Sequence, residues 1–381
     1  MNTTPLPRRT TRAAGLVSAA LLLQCLVWLV LPDLNPYIDP HLAELRAVLP
    51  LPAHAGLLAV LALAGTVCAG VAALRPADTG AHRAARAVAP VVVLGLFGAT
   101  ASMQGLSLAG YVVAMVLPLA AIGVGVVAAV RSPRSRWPLA LALAVGIGAI
   151  VVFRDLIRTA FAANLSVFAE KAAPIWAMLL TYTALALWVA LGVRTLRDAP
   201  WTTRATAWLV AHRRLVTVLA VLGPLPYPLA RLTWLTPWPI GLPEGATDAI
   251  TAWGLMLSLG AWMGAILTLG LILPWGERLP RWLPRVGGRP VPPAAAIVPG
   301  SVVAGLVCLA AVPWTITFIQ DPTGPLAPYF FLLPLGYWGP MLALAVWAYG
   351  GYRSTGGQAT TGPDRTGHGV APGDPADTMV R

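Results

Sequence analysis

Long apolar runs alternate with short polar segments over most of the chain, and this pattern predicts an all-α, polytopic bundle of membrane-spanning helices. A helix needs about 20 apolar residues to cross roughly 30 Å of hydrocarbon. The runs that meet or approach this length predict ten transmembrane helices, at 13–31, 55–74, 87–104, 107–130, 137–153, 175–194, 215–235, 249–274, 295–319 and 329–350.

These helices form one predicted transmembrane domain, 13–353. A basic arm, 1–12, precedes it, and a tail, 354–381, follows it. The tail is rich in Gly, Thr, Asp and Pro and has no apolar pattern, so we expect it to be disordered.

The basic residues are concentrated on one side of the predicted helices. With ten spans, the two termini and every second loop hold 21 of the 26 lysine and arginine residues. Because basic loops remain in the cytoplasm, both termini are predicted to be cytoplasmic. We expect the protein to lie in a bacterial plasma membrane, with its basic inner face against anionic lipid.

Composition agrees with a membrane protein and argues against several other classes. Hydrophobic residues make up 57% of the chain and charged residues only 10%, whereas about a quarter of the residues in a soluble domain are charged. The net charge of +12 does not predict nucleic-acid binding, because the basic residues lie in short loops between apolar runs. The sequence has no HExxH, GxSxG or phosphate-binding GxxxxGK(S/T) motif, so we expect no metal site and no cofactor, and enzyme activity has little support.

The predicted helix at 215–235 is the least regular of the ten. It contains Gly223, Pro224, Pro226 and Pro228, and proline both removes a backbone donor and clashes with the preceding turn. A regular helix therefore cannot continue through this segment. Irregular backbone at membrane depth is tolerated where it is buried in protein or lines a cavity, so this segment is the first place to look for a binding site.

Arg231 follows these prolines, near the outer end of the same span. An arginine at mid-bilayer costs about 2.5–3.5 kcal/mol on insertion scales, and less near the interface. Three outcomes are open for it: an interfacial anchor, an ion pair with a carboxylate, or a residue that binds an anionic ligand in an outward cavity. In the third case Trp234 and Trp238 would be the stacking walls.

A second basic pair lies at the outer end of the fifth predicted span. Arg154 and Arg158 are four residues apart and share a helix face, where they repel each other unless an anion lies between them. Asp155, a more distant outer acid such as Glu170, or a bound substrate are the candidates for that anion.

The first outer loop, 32–54, offers an enzyme alternative. Membrane glycosyltransferases that use lipid-linked sugars place an acid in this loop as a base or metal ligand, and Asp39 in NPYIDPH is the nearest match. A single aspartate beside proline is more often a turn residue, so an outer-face transferase is the weakest hypothesis.

The inner loop at 274–293 combines arginine with tryptophan. Such a composition is typical of an interfacial platform on anionic lipid, and a docking site for a cytoplasmic partner is the alternative. The residues of this predicted interface are Arg278, Arg281, Trp282, Arg285 and Arg289.

Two runs, PYPLARLTW at 226–234 and WGERLPRWLP at 275–284, resemble a group of uncharacterised multi-pass membrane proteins of high-GC bacteria. The resemblance covers the seventh to ninth predicted helices and implies no known activity.

Together these patterns favour a transport or ligand-binding protein with an outward-facing cavity for a small anionic or amphiphilic ligand. Arg231, Arg154, Arg158 and the nearby tryptophans would line that cavity. The alternative from a different class is a membrane scaffold that recruits a protein partner through the inner loop at 274–293.

Overall fold

The structure is a computed structural model, and it describes residues 8–39, 42–75, 79–110, 112, 144, 148, 151, 154, 155, 158, 171–197, 199–243, 245–279, 287–324 and 326–359. Over these residues the chain is helical and contains no β-strand, which confirms the predicted all-α class. The α-helices are α1 (Arg8–Val30), α2 (Leu51–Leu74), α3 (Thr79–Thr100), α4 (Ala172–Leu196), α5 (Pro200–Ala211), α6 (Arg213–Leu222), α7 (Pro226–Leu232), α8 (Asp248–Leu269), α9 (Ala294–Gln320), α10 (Ala327–Leu332) and α11 (Leu335–Ala359). Residues 104–110 are also helical.

Six of the helical segments in this part of the chain are long and apolar enough to cross a membrane, and a seventh is possible if α5 and α6, which meet at 79°, are one broken span. This set of helices is compatible with a multi-pass membrane protein. Most residues of the predicted spans 107–130 and 137–153 lie outside the described ranges, so the count of ten stays a prediction.

The first four helices form an antiparallel bundle with its own apolar core. Two contacts show that α4 runs antiparallel to α1. The Gln24 side chain donates to the Ala177 carbonyl at one end, and the Arg194 guanidinium donates to the Thr10 hydroxyl at the other. Midway, the fully buried Trp188 donates its indole N–H to the Ser18 hydroxyl at 2.9 Å. Small residues on the helices let the backbones approach closely.

The remaining helices form a second bundle around α11, which packs on α5, α6 and α9. Gly223 and Gly339 lie where helices approach each other closely: a Cβ on Gly223 would meet the Trp338 side chain at 2.7 Å, and one on Gly339 would meet the Cys308 sulfur at 2.7 Å. The Tyr337 hydroxyl donates to the Leu219 carbonyl, which joins the start of α11 to the end of α6.

The expected break in the seventh predicted helix is confirmed. Helix α6 ends at Leu222, α7 begins at Pro226, and a short 3₁₀ turn at Thr233–Leu235 follows. Proline at the first position of α7 is favourable, because the N–H that it lacks would have no intrahelical partner there.

The predicted span 329–350 falls within one segment that is long and apolar enough to cross a membrane, Ala327–Thr355. The helix is interrupted inside this segment: α10 ends at Leu332 and α11 begins at Leu335, because Pro334 disfavours helical conformation at the residue before it. Helix α11 continues to Ala359, and the rest of the predicted tail, 360–381, lies outside the described residues.

Candidate functional site

Arg231 lies in the last turn of α7 and is half-buried against aromatic rings. Its guanidinium carbon is 3.8 Å from the centroid of the Trp234 ring and 5.0 Å from that of Tyr227. No ion pair or hydrogen bond joins its guanidinium to any residue that the structure describes. Ring contact therefore supports this cation, and a carboxylate partner, one of the three outcomes left open for Arg231, is not found among the described residues.

Trp234 is held rigidly in place beside it. The indole N–H donates to the Ile240 carbonyl at 2.8 Å, and the Thr233 hydroxyl accepts from the Ile240 N–H at 2.8 Å. On the other side, Gly254 of α8 provides the space, because a Cβ there would overlap the Trp234 ring and come within 3.3 Å of Arg231 Nη1. Helices α7 and α8 and the hydrogen-bonded loop at Ile240 thus position Arg231 and Trp234.

Trp238 has a different environment from Trp234. It is 81% exposed on the loop that follows the 3₁₀ turn, whereas Trp234 is 8% exposed. The structure therefore brings Arg231 and Trp234 into contact, and it leaves Trp238 at the surface. A ligand-binding role for any of the three stays a prediction.

The second basic pair lies at the surface. Arg154 Nε is 3.7 Å from the Asp155 carboxylate, which is one of the anions expected beside it, and both side chains are largely exposed. Arg158 is exposed as well. A surface ion pair of this kind is worth about 0–1 kcal/mol. No ion pair or ring contact of the described residues connects these arginines with Arg231, and their part in a cavity stays a prediction.

The first outer loop contains a buried polar group that sequence reasoning missed. Asp39 is exposed and ends a 3₁₀ turn at Pro36–Ile38, so the turn role is observed and the transferase role stays untested. The residues next to it, Asn35 and Tyr37, are buried together with His54 of α2.

These three residues form a compact cluster. The Asn35 side chain accepts from the Tyr37 N–H at 3.0 Å, the Tyr37 and His54 rings are 4.7 Å apart, and His54 Nε2 lies 2.8 Å from the Ala99 carbonyl. Burial raises the pKa of the Tyr37 phenol, and the Thr181 hydroxyl opposes that rise in part. The signal for the turn was present in the run Asn-Pro-Tyr, because asparagine before proline favours a capped turn, but the burial came from packing.

The base of the inner loop contacts helices α6 and α11. The chain folds back on itself, with a bridge between Arg278 and Pro290. Two arginines hold this base: Arg213 Nη1 is 3.6 Å from the Glu277 carboxylate, and Arg353 donates to the Val291 carbonyl at 2.9 Å.

Sequence reasoning missed both arginines because they lie on α6 and α11, distant from the loop along the chain. Of the predicted interface residues, Arg278 and Arg289 are exposed, whereas Arg281, Trp282 and Arg285 lie outside the described residues.

Within the described residues, no group of three or more His, Cys, Asp or Glu side chains is placed to hold a metal ion. Comparisons with protein-family models, with curated proteins and with solved structures found no match for the chain.

Proposed function

We propose that this protein is a transport or ligand-binding protein of the bacterial plasma membrane, and that Arg231 binds the anionic group of a small or amphiphilic ligand from the outer side. One observation carries the proposal: the half-buried Arg231 guanidinium carbon lies 3.8 Å from the centroid of the Trp234 ring, and the guanidinium has no ion-pair partner among the residues described.

The position of Arg231 over the Trp234 ring is compatible with anion binding. A guanidinium that uses a face for an aromatic ring keeps its N–H edges for a carboxylate or phosphate, which it can bind through two parallel hydrogen bonds. Arg154 and Arg158, if they lie near the same opening, would add long-range attraction for an anion.

The proposal is tested with the purified full-length protein in a maltoside detergent. Inorganic phosphate and a short-chain phosphatidylglycerol are titrated by calorimetry into the wild type, Arg231→Lys and the control Arg289→Lys, which changes an exposed inner arginine. Arg231→Lys keeps the charge but loses the planar fork, so we expect its affinity to fall about tenfold, equivalent to about 1.4 kcal/mol. Equal affinities for wild type and Arg231→Lys, or no binding of either probe by the wild type, would refute the proposal.

A scaffold role is the second candidate, and the anchored base of the inner loop favours it. Contacts with Arg213 and Arg353 hold Glu277 and Val291, which lie next to the exposed Arg278 and close to the exposed Arg289. If the protein is a scaffold, glutamine at Arg278, Arg281, Arg285 and Arg289 removes a co-purifying protein partner. An unchanged set of co-purifying proteins argues against this role.

A further inference from the structure

Helix α5 (Pro200–Ala211) connects two helices at the end of the molecule that carries the inner loop. Helix α4, one of the helices able to cross a membrane, ends at Leu196, and α6 begins at Arg213. The axes of α5 and α6 meet at 79°. Because the connections at both ends are short and the angle is close to a right angle, α5 runs across this end of the molecule at the level where α4 ends.

One face of α5 packs on α11. The Trp347 indole N–H donates to the Thr206 hydroxyl at 2.9 Å, and Leu209 is buried. A Cβ on Gly351 would meet methyl groups of Thr206 and Val210 at 2.8 Å, so the two helices are in close contact. This packing fixes the rotation of α5 about its own axis and decides which of its side chains point away from the protein.

The opposite face of α5 is exposed and combines tryptophan with arginine. Trp201, Arg204, Trp208 and Ala211 follow one another at intervals of three or four residues, which places them on one side of the helix. Both tryptophans are 55% exposed. The Trp208 ring stacks on His212 with centroids 4.4 Å apart, which holds it at the end of the helix. Tryptophan is enriched at the boundary between hydrocarbon and water, because its ring is apolar and its N–H is polar.

Three exposed arginines give this region a positive charge. Arg204 lies on α5 itself, Arg197 precedes the helix and Arg214 follows it. Within the part of the chain that the structure describes, no ion pair or hydrogen bond joins another residue to these three side chains. Arg213 differs from them, because its Nη1 lies 3.6 Å from the Glu277 carboxylate. The three cations are therefore complementary to an anionic surface, and anionic lipid attracts basic side chains of this kind.

We infer that the exposed face of α5 lies in the head-group layer of the leaflet on the side of the inner loop, where its arginines bind anionic lipid. The face continues the apolar surface of α4, because Val193 and Leu196 in the last turns of that helix are also exposed. Tryptophan and arginine together at the level where a span ends are typical of a segment in the membrane interface. An anionic bilayer matches both the rings and the charges of this face. The inference does not depend on anion binding by Arg231.

The position of α5 is tested with nitroxide labels on the full-length protein in nanodiscs of phosphatidylglycerol, after the three native cysteines are replaced by alanine. The label at Ala207→Cys reports the exposed side of α5. Val189→Cys, on an exposed position inside the α4 span, is the control for the bilayer interior, and Thr355→Cys, exposed on α11 about 6 Å beyond Gly351, is the control for water.

The measurement is the ratio of the collision rate with oxygen, which concentrates in lipid, to that with a water-soluble nickel chelate. We expect the ratio at position 207 to be about threefold or more above that at 355 and below that at 189, because an interfacial helix lies between hydrocarbon and water. A ratio at 207 equal to that at 355 would place α5 in water. A ratio equal to that at 189 would make α5 part of a broken span, and either result would overturn the inference.

The preference for anionic lipid is tested in nanodiscs with equal amounts of phosphatidylglycerol and phosphatidylcholine. Native mass spectrometry counts the lipids that stay bound to the released protein. The double variant Arg204→Gln, Arg214→Gln should lower the bound ratio of phosphatidylglycerol to phosphatidylcholine about twofold, because basic residues near the surface attract anionic lipid. Both side chains are exposed, so these substitutions should not prevent folding.

The matched control is the double variant Arg204→Lys, Arg214→Lys, which keeps both charges at the same positions. It should retain the ratio of the wild type, because attraction to a charged surface depends on charge and not on the planar shape of the guanidinium. An unchanged ratio in the glutamine variant, or an equal fall in the lysine variant, contradicts the binding of anionic lipid by this face.

Discussion

Tyr37 and Tyr349 are both fully buried tyrosines, but their hydroxyl groups have different surroundings. The Tyr349 hydroxyl donates to the Gly276 carbonyl at 2.9 Å and accepts from Arg353 at 2.5 Å. The Tyr37 hydroxyl has no hydrogen bond among the described residues. A buried polar group without a partner contributes a desolvation cost and no compensating bond, so the same chemical change should have opposite consequences at the two positions.

We predict that Tyr349→Phe lowers the free energy of unfolding by about 1–3 kcal/mol, because the Arg353 guanidinium and the Gly276 carbonyl each lose a partner. Tyr37→Phe removes the same oxygen atom and should leave stability unchanged or raise it. Thermal unfolding of both variants in one detergent measures the difference. A comparable loss of stability in Tyr37→Phe would show that its hydroxyl does have a partner.

A second residue-scale prediction concerns the space that Gly254 provides for Trp234 and Arg231. Alanine at this position would overlap the Trp234 ring, and overpacking of this kind typically costs about 1–3 kcal/mol. Gly264 lies on the same helix and would meet Trp338 only at 3.9 Å, so Gly264→Ala should be neutral or should stabilise the protein by up to about 1 kcal/mol through helix propensity.

The readouts are the melting temperature and tryptophan fluorescence of both variants. A lower melting temperature and a changed emission spectrum are expected in Gly254→Ala alone. Equal behaviour of the two variants would mean that Trp234 does not pack on Gly254.

At the scale of the element, the sequence predicted which segments are helical, but it did not predict several of the helix ends. Apolar runs predicted α1, α2, α4 and α9 to within a few residues, because a span must cover a fixed thickness of hydrocarbon. The break before α7 was also predicted, since three prolines leave no alternative. The break at Pro334 was missed because a lone proline inside an apolar run often only kinks a helix, as Pro299, Pro313 and Pro340 show here.

The candidate site could be predicted only in part, because some of its contacts join segments that are distant along the chain. Arg231 was found because a charge in an apolar run is conspicuous, but its contact with Gly254 joins segments that the sequence does not relate. The same holds for the base of the inner loop, whose stabilising arginine at 353 is more than sixty residues from the carbonyl group of Val291.

This loop base gives the element-scale prediction. Arg353→Gln loses the hydrogen bond to the Val291 carbonyl and weakens the contact with Gly276. The backbone bonds from Val291 to Glu277 and from Leu279 to Arg289 should then open more often. We expect their amide hydrogens to exchange about tenfold faster, which corresponds to about 1.4 kcal/mol of lost local stability.

Hydrogen exchange followed by mass spectrometry measures these amides directly. Arg289→Gln is the matched control, because the Arg289 side chain is exposed and only its backbone takes part in the loop base. Unchanged exchange in Arg353→Gln would mean that the loop base does not depend on this arginine.

At the scale of the whole molecule, contacts between helix ends group the loops into two faces. The end of α3 meets the first loop, through the bond from the Glu44 N–H to the Ala101 carbonyl. Helix α4 starts at that same face, because the Gln24 side chain, near the C-terminal end of α1, donates to the Ala177 carbonyl near the start of α4. The two ends of the segment 101–171 therefore lie at the same face, which is compatible with the two spans predicted between them.

The last prediction fixes which face is cytoplasmic. The geometry groups Asp33 with α1's C-terminal end, and it places Arg289 and Ser354 together near the base of the inner loop. The termini and the loops predicted to share the face of the inner loop hold 21 of the 26 lysine and arginine residues. Cysteines introduced at Arg289 or Ser354 should therefore be protected from a membrane-impermeant maleimide in intact cells and should react only after permeabilisation. A cysteine at Asp33 should react at once; Cys25, Cys68 and Cys308 are replaced by alanine first. Prompt labelling of a cysteine at position 289 in intact cells would show that the predicted orientation in the membrane is reversed. Arg231 would then face the cytoplasm instead of the exterior.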